Sequence, residues 1–270
     1  MAAAEDQRPG RRVALVTGAS SGIGAATARI LAREHATTPI LIARREERLR
    51  ALAEELGGGA TYLAVDLVDD GAPARAAAHV REHHGRLDLL VNNAGASWRG
   101  SFSESGWDGL RRHMELNFDA VARLTEVLLP ILRESAPSAI VNVSSTAARV
   151  SRGRTGAYSA SKAALAAWSD GLYLEERPHD VHVGVVLPGF VATEGFPQGE
   201  LPNLIVSNPE TAARAIVDAG LNGRAERYVP RPYWLVAALR VIAPGLVRRV
   251  LAAGAGGRLT TTTGPDSQTD

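Results

Sequence analysis

Apolar residues fall in short unbroken blocks, separated by stretches where they recur every three or four positions. The blocks Arg12–Thr17 (RVALVT), Pro39–Ala43 (PILIA), Tyr62–Val65, Leu87–Val91 (LDLLV), Ala139–Val143 (AIVNV) and His182–Leu187 (HVGVVL) read as strands, with Arg227–Val229 as a short last one. Pro39 stands at the first residue of its block, where a strand tolerates proline. The stretches between them predict helices over Ile23–Glu34, Glu46–Leu56, Pro73–His84, Trp107–Leu116, Ala120–Glu134, Ala157–Glu176 and Pro209–Leu221. Gly57-Gly58-Gly59 and Gly85 stop two of them. Strands apolar on both faces, alternating with helices, predict an α/β chain: a single doubly wound Rossmann domain, with a parallel sheet and helices on both faces. The expected division is a flexible N-terminus (1–10), a dinucleotide-binding catalytic domain (11–230), a C-terminal helical extension (231–253) and a flexible Gly/Thr-rich tail (254–270).

Charge and composition narrow the classes. A net charge of +1 over 270 residues gives no electrostatic footprint for nucleic acid, and no nucleic-acid partner is expected. Without cysteine there is no disulfide framework, thiol nucleophile or Cys-ligated metal. MAAAEDQRPG lacks the apolar core of a signal peptide, and no run of about eighteen apolar residues predicts a membrane span. The cytoplasm is the expected address. The basic residues are arginine except for one: Lys162 is the only lysine. A GC-rich coding bias explains the arginines, and a position that keeps lysine under that bias is one where a planar guanidinium does not replace a compact ammonium.

Thr17-Gly18-Ala19-Ser20-Ser21-Gly22-Ile23-Gly24 joins the first strand to the first helix. Glycines let the backbone turn tightly against a pyrophosphate, and the helix start offers unpaired N–H groups. The spacing is G-x-x-x-G-x-G rather than the commoner G-x-G-x-x-G, but the strand–turn–helix context is met. The second strand ends Ile42-Ala43-Arg44-Arg45 with no acid at its tip. An acid there would accept from the ribose 2′-hydroxyl of NAD, and an arginine accommodates the 2′-phosphate of NADP. Arg44 is the better placed, Arg45 assists, and NADP is favoured over NAD.

The glycine loop, Asn92-Asn93-Ala94-Gly95 after the fourth strand, and Tyr158-Ser159-Ala160-Ser161-Lys162 together resemble the classical short-chain dehydrogenase/reductase family. The likeness runs to about Val229. It implies that Gly18, Ser20, Ser21, Gly22, Ile23 and Gly24 hold the cofactor phosphates, and that Asp66 and Leu67 meet the adenine. It implies that Asn92 to Gly95 border the adenosine side and steady the sheet, with Asn93, Ala94 and Gly95 touching the cofactor. In Pro188-Gly189-Phe190-Val191-Ala192-Thr193, it implies that Pro188, Gly189, Val191 and Thr193 hold the carboxamide, Val191 by backbone and Thr193 by hydroxyl. It places Asn117, Ser145, Tyr158 and Lys162 in the catalytic set, with Lys162 also reaching the nicotinamide ribose and Asn117 connecting the lysine to bulk water. Ser145 fits the family serine better than Ser144. A homodimer or homotetramer is implied as well.

Tyr158 and Lys162 are four apart on a helix and share a face. A phenol titrates near 10, and a nearby ammonium is expected to bring it down towards working pH. Tyr158 would then exchange a proton with a carbonyl or alcohol oxygen, and Ser145 would hydrogen-bond the same oxygen. A small-molecule carbonyl or secondary alcohol is the expected partner. Trp98, Phe102, Phe190, Phe196, Leu201 and Leu204 suggest an apolar, lipophilic pocket. A dinucleotide-binding regulator without turnover and a methyltransferase are the competing classes; the intact Ser145, Tyr158 and Lys162 set argues against both.

His79, His83 and His84 share one predicted helix, but no third metal ligand is apparent, and no metal is expected. Tyr233–Leu251 (YWLVAALRVIAPGLVRRVL) is apolar with arginines at intervals, and Pro244 should break it. A lid over the cleft, a subunit contact and peripheral membrane association are open readings of this segment.

Overall fold

The computed structural model describes residues 11–194 and 206–255. Among these, seven strands form one sheet: β1 (Arg12–Thr17), β2 (Thr37–Ala43), β3 (Thr61–Ala64), β4 (Leu89–Asn92), β5 (Ser138–Val143), β6 (Val181–Pro188) and β9 (Glu226–Val229). Their order is β3-β2-β1-β4-β5-β6-β9, and every neighbouring pair is parallel. The expected doubly wound α/β architecture is the one observed. The short Arg227–Val229 block falls in the edge strand β9, whose Glu226–Val229 lie in register with Val185–Pro188.

Alternate residues of the strands face opposite helical layers. Ala14, Val16, Leu41, Val91 and Val141 pack under α1 (Gly22–Glu34), α2 (Glu46–Leu56) and α7 (Pro209–Leu221). Val13, Leu15, Ile40, Leu90 and Ile140 face α3 (Ala72–His83), α5 (Ala120–Glu134) and α6 (Gly156–Glu176). These two buried layers are why the strands read as unbroken apolar blocks.

Strand β2 begins two residues earlier than expected, so Pro39 is its third residue. It is tolerated because pairing with β3 begins only at Ile40, and no neighbouring strand needs a Pro39 N–H on that side. The helix α4 (Phe102–Met114) contains a break at Gly106, whose φ of 55° is left-handed, so its regular part starts at Trp107 as the sequence suggests. A π-type turn, Glu115–Asp119, joins α4 to α5. A two-residue ladder, β7 (Phe190–Val191) against β8 (Val206–Ser207), was not expected. Beyond β9, α8 (Tyr233–Ile242) and α9 (Pro244–Ala255) meet at Ala243, where Pro244 interrupts the helix.

The chain crosses from one half of the sheet to the other between β1 and β4. In open α/β sheets the crevice at the carboxyl ends of such strands receives the ligand. The glycine loop, Asn92–Gly95, Ser145 and Pro188 all follow carboxyl ends of sheet strands and so collect along one edge.

Candidate active site

The phosphate loop turns on two glycines. Gly18 and Gly22 hold φ of 67° and 53°, conformations that a side chain would strain. A Cβ on Gly24 would lie 2.4 Å from the Gly18 carbonyl oxygen and 2.7 Å from Asn93 Nδ2, so helix α1 packs on the turn only with glycine there. The first turn of α1 carries no acid, and the Ser21 side chain does not cap it. Its N–H groups therefore fit an anion such as a pyrophosphate. Ile23 packs against the sheet from this turn.

Asn93 ties the loop to the switch point. Its Nδ2 donates to the Thr17 carbonyl at 2.9 Å, and the backbone N–H groups of Asn93 and Ala94 both donate to Thr17 Oγ1 at 2.9 Å. Thr17, which opens the glycine motif but had no assigned role, thus acts as the acceptor that anchors this loop. One residue earlier, Asn92 Nδ2 donates to Asn142 Oδ1 at 2.8 Å, and Asn142 Nδ2 donates to Ser169 Oγ at 2.8 Å. This buried amide chain fixes β4, β5 and α6 to one another.

The two arginines at the tip of β2 part company. Arg44 is largely exposed and stands 3.5 Å from Asp66. Asp66 also accepts from the Val68 N–H, and Leu67 beside it is buried. Arg45 reaches over the phosphate loop, donating to Ser21 Oγ at 2.7 Å and Ser20 Oγ at 3.1 Å. It also pairs with Glu194 at 2.8 Å, and Arg48 pairs with the same carboxylate. Glu194 immediately follows Thr193, whose methyl side faces Gly22: a Cβ there would lie 3.1 Å from Thr193 Cγ2. The Pro188–Thr193 segment is thus drawn against the phosphate loop from the opposite half of the sheet.

Helix α6 presents Tyr158, half-buried, and Lys162, buried, on one face. Lys162 Nζ donates to the Val143 carbonyl at 2.8 Å. Burial pulls its pKa down to about 8. Ser144 Oγ donates to the Lys162 carbonyl at 2.8 Å, which gives that hydroxyl a structural partner and leaves Ser145 facing Tyr158. Ser145 Oγ accepts from the Ala147 N–H at 3.1 Å and donates to the Pro188 carbonyl at 3.3 Å, beside the Tyr158 side chain.

The expected lowering of the Tyr158 pKa by Lys162 is corrected here. Burial pushes the phenol up, and the neighbouring Ser145 hydroxyl only partly opposes it. The physical reason is that burial desolvates the phenol, while the Lys162 ammonium is itself desolvated and donates to the Val143 carbonyl.

Asn117 lies fully buried in the π-type turn, which spreads the backbone and lets its amide face the loop after β4. Its Oδ1 accepts from the Ala96 N–H at 3.0 Å, and its Nδ2 donates to the Ala96 carbonyl at 3.0 Å and to Ser161 Oγ at 3.1 Å. Gly95 completes this corner: a Cβ there would lie 2.8 Å from Asn117 Oδ1 and 3.2 Å from Lys162 Nζ. Asn117, Gly95 and Lys162 are therefore brought together, as are Ser145 and Tyr158.

His113 is a residue that the sequence reading missed. Four residues before Asn117, it is buried, and its Nε2 accepts from the Trp98 N–H at 3.1 Å while Nδ1 donates to the Gly109 carbonyl at 2.6 Å. The ring stands edge-on between Trp98 and Tyr158, with centroids 5.0 Å and 6.3 Å away. Of the residues expected to line an apolar pocket, Trp98 and Phe190 are partly covered, beneath the guanidinium groups of Arg112 and Arg152 respectively. Phe102 stands in solvent at the start of α4, and Phe196, Leu201 and Leu204 lie outside the described residues. Tyr233 closes this side: its ring lies against Gly189, where a Cβ would come within 2.2 Å of it, and the Gly189 N–H donates to the Val229 carbonyl at 2.7 Å. His79 and His84 share Thr61 Oγ1 at 3.0 and 2.8 Å, and the described residues hold no group of three or more side chains suited to a metal ion.

A glycine turn at a sheet switch point, with a serine–tyrosine–lysine cluster beside it, defines a dinucleotide-dependent oxidoreductase. The family model for short chain dehydrogenases matches residues 12–199, and the chain belongs to that family. It is 33% identical over 266 residues to the bovine dehydrogenase/reductase SDR family member 7B, covering 90% of this chain and 81% of that one. It is 31% identical over 222 residues to the ketoacyl reductase HetN of a Nostoc species, covering 80% of this chain and 77% of HetN. A short-chain dehydrogenase crystal structure from Streptomyces avermitilis superposes with a TM-score of 0.77 at 32% identity, covering 93% of this chain and 100% of that one. One from Burkholderia cenocepacia, in complex with NADP, gives 0.78 at 28% identity, covering 89% and 97%. As a member of this family, the chain is an oxidoreductase that binds NAD(P).

Proposed function

We propose that this chain is an NADP(H)-dependent oxidoreductase acting on the carbonyl or secondary alcohol of a lipophilic small molecule, with Tyr158 as the general acid/base. The observation that carries it is the placement of the Ser145 hydroxyl beside Tyr158, with the Lys162 ammonium buried one helical turn along from the tyrosine. NADP is favoured by Arg44 and Arg45 at the tip of β2, where no acid competes for a ribose hydroxyl. The Burkholderia neighbour's NADP supports the same choice.

The bound nicotinamide supplies or accepts the hydride. The protein supplies the rest. Ser145 donates a hydrogen bond to the substrate oxygen in exchange for its bond to Pro188, and stabilises the charge that develops there. Tyr158, held as a neutral phenol by burial, gives its proton to that oxygen in reduction and recovers one in the reverse direction. Lys162 favours the phenolate left behind, and it is charged below its pKa of about 8. Asn117 stands beside Gly95 and Lys162, where it helps return the proton from water. Trp98 and Phe190 offer apolar cover for the rest of the substrate. The chain acts as a homodimer or homotetramer in the cytoplasm in this reading, and light scattering reads its assembly.

The purified chain is mixed with NADPH and a panel of ketones, aldehydes, quinones and steroids, and cofactor oxidation is followed by absorbance. Turnover with at least one lipophilic carbonyl, faster with NADPH than with NADH, is expected. Tight NADPH binding with no turnover across the panel would instead favour a regulatory, non-catalytic role.

A further inference from the structure

Helices α8 and α9 sit on the outside of the domain by very little. Among their described side chains, Ala237 and Val247 alone are buried, while Trp234, Leu235, Val236, Leu239, Val241, Ile242, Leu246 and Val250 are exposed. Few other large apolar side chains of the described residues are exposed, and those few are scattered singly. An apolar surface of this extent is out of place against water and marks a contact face.

Its charges point to the occupant. Arg240, Arg248 and Arg249 lie along the two helices and Arg231 just ahead of them, and the sequence holds no acid from Arg227 to Pro265. Among the described residues no carboxylate pairs with these four arginines. A two-fold contact with a second copy of the same face would bring arginines against arginines. An anionic lipid surface takes both features at once: acyl chains receive the apolar side chains, and headgroup phosphates receive the guanidinium groups. No helix of the described residues is long and apolar enough to cross a membrane, so the contact is with one leaflet.

We propose that α8 and α9 form a peripheral docking surface for anionic membranes. The link to the site is direct: Tyr233 begins α8, and its ring rests on Gly189 in the segment between Ser145's partner Pro188 and Val191. Docking therefore brings the substrate side of the cleft to the lipid surface, and a carbonyl compound dissolved in the bilayer is the class of substrate it serves. That last step rests on the reductase reading; the docking itself does not.

The test is co-sedimentation of the full chain with vesicles of phosphatidylcholine alone and of phosphatidylcholine mixed with phosphatidylglycerol. The chain should pellet with the mixed vesicles, less so with the neutral ones, and release as salt is raised. Val241 and Ile242 are 80% and 81% exposed, so the double variant Val241→Glu/Ile242→Glu should keep its fold and its NADPH binding yet lose vesicle binding by about tenfold or more. Arg248→Glu/Arg249→Glu should lose the preference for anionic lipid. Failure of the wild-type chain to bind either vesicle overturns the proposal, as does equal binding by Val241→Glu/Ile242→Glu. A wild-type dimer in light scattering that becomes monomeric in that variant, without vesicle binding, assigns the face to a second copy. Absence of turnover with soluble carbonyls would instead strike the reductase reading and leave vesicle binding intact.

Discussion

Lys162 donates from Nζ to the Val143 carbonyl at 2.8 Å, which ties the only lysine of the chain to the end of the strand that leads into Ser145. The ammonium is held ready at the site, but at a cost, because it has been taken out of water with no counter-ion among the described residues. Its pKa of about 8, against 10.5 for an ordinary lysine, measures that cost.

The sign follows from linkage. Below about 8 the folded chain carries the full penalty of a buried charge. As pH rises from about 8 to about 10.5, the lysine is neutral in the folded chain but still charged in the unfolded one, so its contribution to stability rises. Lys162→Met should therefore melt higher than wild type at neutral pH, by about 2–4 °C for each kcal/mol relieved, and lose that advantage towards pH 10.5. Calorimetry across that range checks it, and a variant that melts lower than wild type at neutral pH contradicts it.

The same titration sets the rate profile. The quantity kcat/KM reports groups of the free enzyme. For carbonyl reduction it should fall as pH passes upward through about 8, because the ammonium that favours the Tyr158 phenolate is lost. A flat profile across that region would show that Lys162 keeps its proton or is not needed.

Arg44→Asp should move the cofactor preference from NADPH towards NADH. The substitution replaces an exposed cation by the acid that would accept from a ribose 2′-hydroxyl. The ratio of kcat/KM for the two cofactors is the readout. If it does not move while Arg45→Asp does shift it, the guanidinium over Ser20 and Ser21 is the one that reads the phosphate.

His113→Phe should destabilise the chain by about 1–3 kcal/mol, because the Trp98 N–H loses its acceptor in a partly buried position. It should also raise KM for the carbonyl more than it lowers kcat if Trp98 covers the substrate as proposed. Denaturant melts and steady-state kinetics separate the two effects.

The sheet was legible because its strands are buried on both faces and bounded by glycine, so apolar runs such as RVALVT and AIVNV stand out without periodicity. Helix α7 was legible to the residue, since Asn208 caps it and Pro209 opens it. The Tyr158–Lys162 face followed from helical spacing alone. The π-type turn was not legible, because its extra residue leaves no mark in an apolar pattern that is read at 3.6 residues per turn. His113 is a lone polar residue whose role depends on Trp98 and Tyr158 coming to its sides. The pairing of Arg45 with Glu194 joins residues 149 apart in the chain, on opposite halves of the sheet. The direction of the Tyr158 pKa was misjudged because spacing shows a neighbour's charge but not the depth at which both groups are buried.

The central claim is that Tyr158 is the proton donor to a carbonyl oxygen, and Tyr158→Phe tests it most directly. Single-turnover oxidation of bound NADPH is measured with the best carbonyl substrate, alongside NADPH affinity by fluorescence. The variant should bind NADPH as wild type does and lose about 10²–10⁴-fold in the rate of reduction. Near-normal reduction by the variant would contradict the assignment.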